Sequence, residues 1–245
     1  VNLKRQKLSK RDGAQWVGEF RALGYLPEAV VNFLMFLGWA PGDEREVFTL
    51  DELIREFTVE HVNKADAVFD LQRLDYFNGV WIRRFELEDL VERALPFAAA
   101  GGVNVPDDAR DYFRAALALE QERIKHLTEV PDLMSFFFDD ELDPDVTLIN
   151  LATHDASETA AALQRIRDLV AGLPDFDVNS IEDGLRGLAD ELGWKHGAVF
   201  TPVRIAVTGR TVAPPLFQTM AVLGRKRCLV RLDRARAGLE ALPVS

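Results

Sequence analysis

The sequence predicts an all-α protein, an elongated array of small helical modules, and three observations carry that expectation. Apolar residues recur at intervals of three and four along most of the chain, whereas the strict alternation of a half-buried strand is scarce. Helix-opening signals stand at the heads of these stretches: Pro27-Glu28, Thr49 with Glu52, and Ser180 with Asp183. Gly38, Gly101-Gly102, Gly193 and Gly224 stand at their ends.

Taken in order, Pro27 suits a first helical position, where its missing N–H costs nothing, and Glu28 favours the positive end of the helix dipole. Residues 29–37 are apolar almost all round, which predicts a buried helix closed by Gly38. The Thr49 and Glu52 capping box opens a helix running to Phe57. Another helix is expected over about 65–77, with Asn78-Gly79 as its stop. Residues 86–99 read as helix, broken by Gly101-Gly102. Pro106-Asp107-Asp108 opens a long helix expected to reach about Leu127, with Tyr112, Phe113, Ala116, Leu119 and Ile124 on its apolar side.

Asp139, Asp140, Glu141, Asp143 and Asp145 crowd one connector, in which Pro144 blocks helix. A calcium loop needs Gly at its sixth position and a bidentate Glu at its twelfth. Neither is present, so a solvated linker that lets modules hinge is expected. Beyond it, residues 156–172 form an amphipathic helix, Ser180 and Asp183 cap another that stops at Gly193, and 194–209 reads as irregular. Two last helices, 214–223 and 225–242, flank Gly224. The expected modules are 1–84, 85–147 and 148–245.

Composition narrows the function. The 245 residues, 48% hydrophobic, are ample for a packed core in one large domain or two to three small ones. No run approaches 18 uninterrupted apolar residues and no charged-then-apolar leader opens the chain, so membrane and secretory readings fall away. The single cysteine, Cys228, cannot form an internal disulfide and fits a reducing cytoplasm. A net charge of −11 argues against coating nucleic acid by bulk attraction. The charge is uneven, however. Arg204, Arg210, Arg225, Lys226, Arg227, Arg231, Arg234 and Arg236 face one acid, Asp233, and the chain also opens on Lys4, Arg5, Lys7, Lys10 and Arg11. An acidic body with a basic start and a basic end steers polyanions to those two places.

Self-sufficient chemistry is not visible. His61, His126, His154 and His196 lack zinc-site spacing, and neither a phosphate-binding Gly-x-x-x-x-Gly-Lys loop nor a Gly-x-Ser-x-Gly elbow occurs. What remains is recognition.

The opening Lys7-Leu8-Ser9-Lys10-Arg11-Asp12-Gly13 is a short basic loop closed by an Asp-Gly turn. Ammonium groups there can follow charge as it moves along a polyphosphate. It is followed by Gly24-Tyr25-Leu26-Pro27-Glu28-Ala29 through Leu37-Gly38-Trp39, then by Phe69-Asp70-Leu71-Gln72-Arg73-Leu74-Asp75-Tyr76-Phe77-Asn78-Gly79. Pro202-Val203-Arg204-Ile205-Ala206-Val207-Thr208-Gly209, Pro215-Leu216-Phe217 and Leu223-Gly224 complete the series. In order and spacing these resemble the bacterial-type class I glutamyl-tRNA synthetases, from their KMSKS signature loop onward. No His-x-Gly-His signature of the family's amino-acid-activating half is present, and the chain opens at Val1 rather than Met. The expectation is a C-terminal half, inactive by itself. The alternatives are a stand-alone, non-catalytic tRNA-binding protein and a helical scaffold with no RNA role. Glutaminyl-tRNA synthetases, which read anticodons with β-barrels, do not fit the helical pattern after Glu86.

The resemblance implies a role for each motif. Lys7, Ser9 and Lys10 belong to the loop that closes over ATP (with Mg in the whole enzyme) during glutamate adenylation, Lys10 facing the triphosphate. Arg204 stands at the anticodon-reading arginine, and Leu216 at an apolar position packing on the same base. Arg123 matches a helix-borne reader of the third anticodon base, where Arg marks enzymes restricted to glutamate tRNA and Gln marks those that also charge glutamine tRNA. Gln121 stands close by as a rival for that position. Arg225, Lys226, Arg227, Arg231 and Arg234 read as phosphate contacts that position the RNA without specifying sequence. No metal site, DNA or membrane partner is expected. The implied partner is tRNA(Glu), bound by a cytoplasmic monomer.

Overall fold

The structure is a computed structural model that describes residues 1, 5–6, 16–63, 65–149 and 153–242. The described residues form twelve α-helices and no strand, with one isolated bridge between Trp39 and Val62. The all-α expectation holds. None of the described helices is long and apolar enough to cross a membrane. The chain divides into two compact units, Val1–Asp108 with Glu120–Leu133 and Ala109–Leu119 with Met134–Ser245.

The first unit holds α1 (Val17–Ala22), α2 (Pro27–Met35), α3 (Leu50–Glu56), α4 (Leu71–Arg84) and α5 (Leu87–Ala100). Pro27 opens α2 as expected, and Thr49 and Glu52 complete a reciprocal capping box at α3. Helix α2 is shorter and less enclosed than its composition suggests: it ends at Met35, and Val31 and Leu34 are exposed. Its inner face packs on α4 through Phe36 stacked on Phe77 at 5.8 Å, while Phe33 meets Phe69 edge-on at 4.9 Å.

Helix α4 corrects the expectation of a helix over 65–77. It begins after Asp70, whose carboxylate accepts from the Gln72 N–H, and it runs straight through Asn78-Gly79 to Arg84. Asn78 stops nothing because its side chain serves other segments. Its Oδ1 accepts from the Leu26 N–H at 2.8 Å, and its Nδ2 donates to the Lys125 carbonyl at 2.5 Å. Turn propensity is a local preference, and these buried long-range bonds outweigh it.

The long helix expected to reach Leu127 is also shorter. Helix α6 (Arg110–Glu120) stops where the Glu120 carbonyl takes the N–H groups of both Arg123 and Ile124. A short turn and a brief 3-10 segment precede α7 (Val130–Phe138).

The second unit continues with α8 (Ala156–Gly172), α9 (Val178–Leu192), α10 (His196–Thr208), α11 (Leu216–Leu223) and α12 (Arg225–Glu240). Helices α8 and α12 pack along their lengths, burying Leu163, Ile166 and Val170 of one and Cys228, Leu232, Ala235 and Leu239 of the other. Asp177, rather than Ser180, caps α9; the Ser180 N–H donates to its carboxylate. Gly193 ends α9 with φ +68°, as its sequence position suggests. The stretch after Trp194 is not irregular. It forms α10, in which the consecutive buried residues 205–208 obscure the 3.6-residue period and whose interior carries Pro202. The acidic connector 139–145 is not a free linker either: Asp140 and Glu141 pair with Arg227 and Arg234 of α12 at 2.7 and 2.9 Å, inside the same unit.

Candidate nucleic-acid interface

Helix α10 presents one half-exposed stripe. His196, Phe200 and Arg204 stand four residues apart, so they share a face, while Val199, Val203, Ile205, Ala206 and Val207 are buried. His196 stacks over Phe200 at 5.4 Å between ring centroids, and Phe200 meets Phe217 of α11 edge-on at 5.2 Å. Arg186 of α9 lies over both phenyl rings, at 5.7 and 5.9 Å, and approaches His196 Nδ1 at 3.1 Å. Glu182, one turn back, pairs with Arg186 at 2.7 Å. The stripe is therefore aromatic and cationic.

Arg204 is its least committed member. The Arg204 Nε is buried with no hydrogen-bond partner, and its guanidinium makes no ion pair with a described residue. Its backbone is firmly held: the Arg204 carbonyl accepts from Thr208 Oγ1 at 2.7 Å, and Gly209 closes α10 with φ +69°. Leu216, the first residue of α11, is buried. It reinforces the helix junction more than it exposes an apolar surface.

The basic end resolves into residues with different duties. Helix α12 starts on Arg225, Lys226 and Arg227, three cations at the positive pole of a dipole, an arrangement that costs stability unless anions or carbonyls answer it. Arg225 donates to the Leu173 carbonyl at 2.5 Å and lies over Phe176. Arg227 pairs with Asp140 and covers the Tyr112 ring at 5.0 Å. That guanidinium holds the Asp140 carboxyl below the usual carboxylate range. Lys226 is exposed and makes no hydrogen bond or ion pair with a described residue.

Arg231 departs from the phosphate-contact expectation. It is 1% exposed and donates to the carbonyls of Phe136 (2.6 Å), Asp139 (2.7 Å) and Val207. Phe136 and Val207 lie in the last turns of α7 and α10, where carbonyls lack an intrahelical donor. Arg231 thus caps two helix ends from the core and cannot reach a phosphate. Arg234, partly exposed, is engaged within the protein by the carbonyls of Asp140 and Leu142.

In the first unit, Arg123 lies not on a helix but in the turn after α6. Its Nη1 donates to Glu120 Oε2 at 2.8 Å, and it lines an open cleft of about 510 Å³ with Lys125, Thr128, Glu129, Asp132 and Leu133. Gln121, its neighbour, is fully engaged elsewhere: its Nε2 donates to the carbonyls of Ile82 and Phe85 at 3.0 Å each. Lys7, Ser9 and Lys10 lie outside the described residues. Among those described, no cluster of His, Cys, Asp and Glu could hold a metal ion.

A family model described as "Anticodon binding domain" matches residues 89–236. The chain belongs to the anticodon-binding-domain family. A second model, described as "tRNA synthetases class I (E and Q), catalytic domain", matches residues 1–76 of the chain. It is 42% identical to a glutamate–tRNA ligase of Dehalococcoides mccartyi (strain CBDB1), over 98% of this chain and 50% of the relative. It is 40% identical to that of Moorella thermoacetica, over 94% and 48%. The chain spans about half the length of these curated relatives. Among solved structures, a glutamate tRNA ligase from Elizabethkingia meningosepticum, crystallised in complex with its amino acid, aligns with TM-score 0.83 and 27% identity over 96% of this chain and 49% of that one. Glutamate-tRNA synthetase from Elizabethkingia anophelis aligns with TM-score 0.77 and 27% identity, over 95% and 48%.

The sequence leaves Arg186 and Phe200 unremarked and shows His196 only as an isolated histidine, because 194–209 reads as irregular. The four-residue spacing of His196, Phe200 and Arg204 was the available signal. Glu120 gave none, since an acid at a helix end reads as solvated.

Proposed function

We propose that this chain is the stem-contact and anticodon-recognition half of a glutamate–tRNA ligase, with residues 1–84 on the tRNA stem and 85–147 and 148–245 on the anticodon arm. One observation carries the reading: the partly exposed His196–Phe200–Arg204 stripe, flanked by Phe217, with Arg204 making no ion pair among the described residues. RNA is read sequence-specifically where bases are unstacked, by stacking on aromatic rings and by hydrogen bonds to base edges. Phe200 and Phe217 supply ring faces, and Arg204 supplies a planar fork of donors that both stacks and bonds. Leu216 sets the junction at which α11 meets the stripe. Lys226, exposed at the head of α12, takes a phosphate, with Arg225 and Arg227 adding charge beside it.

Arg123 reads the third anticodon base. Support comes from Gln121, whose amide nitrogen donates to two carbonyls, which leaves Arg123 rather than Gln121 facing the cleft, beside Lys125 and Thr128. On this reading the parent enzyme is restricted to tRNA(Glu). Glutamate, adenylated with ATP and Mg, is then transferred to the terminal ribose of the tRNA. Lys7, Ser9 and Lys10 are the residues of this chain that face ATP, Lys10 beside the triphosphate. The whole protein works in the cytoplasm as a monomer, and this half alone is inactive.

Filter binding to tRNA(Glu) tests the proposal. Because phosphate contacts release counterions, affinity falls steeply between about 50 and 200 mM salt, roughly as a power of the salt concentration. Affinity that stays flat over that range retires the RNA-binding reading.

A further inference from the structure

Arg123 is presented by a buried frame, and the carboxylate in that frame has no place in the scheme so far. We propose that Glu120 is a positioning residue for base recognition, fixing the Arg123 guanidinium so that its remaining donors address a cytosine in the third anticodon position. The proposal rests on the reading of Arg123 as the third-base reader.

Glu120 is 0% exposed, while the Arg123 side chain is about one-third exposed (31%), so the pair runs from the core to the mouth of the cleft. A carboxylate removed from water must be paired, and Arg123 answers it at 2.8 Å through one terminal nitrogen. The same residue shapes the backbone, since the Glu120 carbonyl accepts from the N–H groups of Arg123 and Ile124 at 2.8 and 3.1 Å. Flanking bonds lock the segment: Gln121 to the end of α4, Asn78 to the Lys125 carbonyl, and Glu129 Oε2 to the Lys125 N–H. Arg123 is thereby held at its backbone N–H and at one terminal nitrogen before RNA arrives, which lowers the ordering cost at binding.

The chemistry of the base follows. Arg has donors only. Cytosine offers two acceptors, O2 and N3, on its pairing edge, which a fixed guanidinium with a free terminal nitrogen can take. Guanine presents N–H donors at the corresponding places, so the held guanidinium opposes them. An Arg123 free to swing would escape that clash, and discrimination would fall even though the charge remained.

The experiment measures binding of the whole chain to two anticodon stem-loops of tRNA(Glu), one with its own third base, cytosine, and one with guanine. Wild type, Glu120→Gln, Arg123→Ala and the double variant are compared. Expected is a cytosine preference of roughly tenfold or more in wild type. Glu120→Gln and Arg123→Ala both bring it close to one, and the double variant adds nothing to Arg123→Ala. If Arg123→Ala removes the preference and Glu120→Gln keeps it, the positioning role is wrong. If Arg123→Ala leaves the preference intact, the reading of Arg123 itself fails. Should Glu120→Gln not fold, NMR of the wild-type guanidinium decides: slow rotation with separately resolved Nη signals for Arg123 supports the clamp, and a single averaged signal overturns it.

Discussion

Replacing Arg231 with methionine tests whether this arginine is structural. The side chain keeps most of its apolar stem and loses its donors. Two carbonyls, those of Phe136 and Val207, then lie buried in the second unit without partners, while that of the exposed Asp139 turns to water. An unsatisfied buried acceptor costs about 1–3 kcal/mol, so two sum to between about 2 and 6. Part is offset because a guanidinium no longer has to be desolvated, a penalty of several kcal/mol for a buried ion. The same burial pulls the Arg231 pKa below its usual range. A net loss of about 2–4 kcal/mol is expected, a large share of the roughly 5–15 kcal/mol that domains possess. Urea unfolding followed by circular dichroism reads it as a lower midpoint at an unchanged slope. A loss under about 1 kcal/mol, together with weaker and less salt-dependent tRNA binding, would refute the capping argument.

Other substitutions probe the remaining elements. Gly24 has φ +81°, and a Cβ there would stand 2.6 Å from the backbone nitrogens of Leu127 and Thr128, whereas Gly102 at φ +88° has nothing within 4 Å. Gly24→Ala should therefore cost about 2–4 kcal/mol and Gly102→Ala about 1, in the same urea assay. Equal losses would mean that the Leu127 backbone yields freely. Burial pushes the Cys228 thiol up from its ordinary 9.0 to about 12. The folded state therefore keeps a proton that the unfolded chain sheds, so this contribution is complete below pH 9 and drains away as pH climbs toward 12. From about pH 8 to 10.5 wild type should lose about 2 kcal/mol more than Cys228→Ala, and parallel pH curves would contradict the assignment. Lys226→Ala should leave stability within about 0.5 kcal/mol and lower the salt slope of tRNA binding by about one. An unchanged slope removes Lys226 from the phosphate contacts.

Legibility in the sequence followed the range of the forces involved. Pro27, the Thr49–Glu52 box and Gly193 act within one helical turn, and all three are where their spacing puts them. Asn78 and Glu120 act on residues distant in sequence or on the core, so Asn78-Gly79 passes for a stop and Glu120 for a surface acid. Helix α10 lost its periodic signal because most of its faces are buried. The charge excess near the C-terminus was visible, but not its division into capping and contacting residues. That division had a signal: Arg231 falls within the apolar stripe of Cys228, Leu232, Ala235 and Leu239, where a charged residue must be paired inside the fold. Lys7, Ser9 and Lys10 lie outside the described residues, and their motif alone speaks for them.

The most direct measurement compares affinity for tRNA(Glu) with affinity for the same tRNA carrying a scrambled anticodon, in wild type and Arg204→Ala. The account predicts that scrambling costs wild type roughly 1–3 kcal/mol, and that Arg204→Ala loses a similar amount on the natural tRNA and little on the scrambled one. If all four combinations bind alike, the chain holds phosphates only, and the anticodon-reading role of the α10 stripe is wrong.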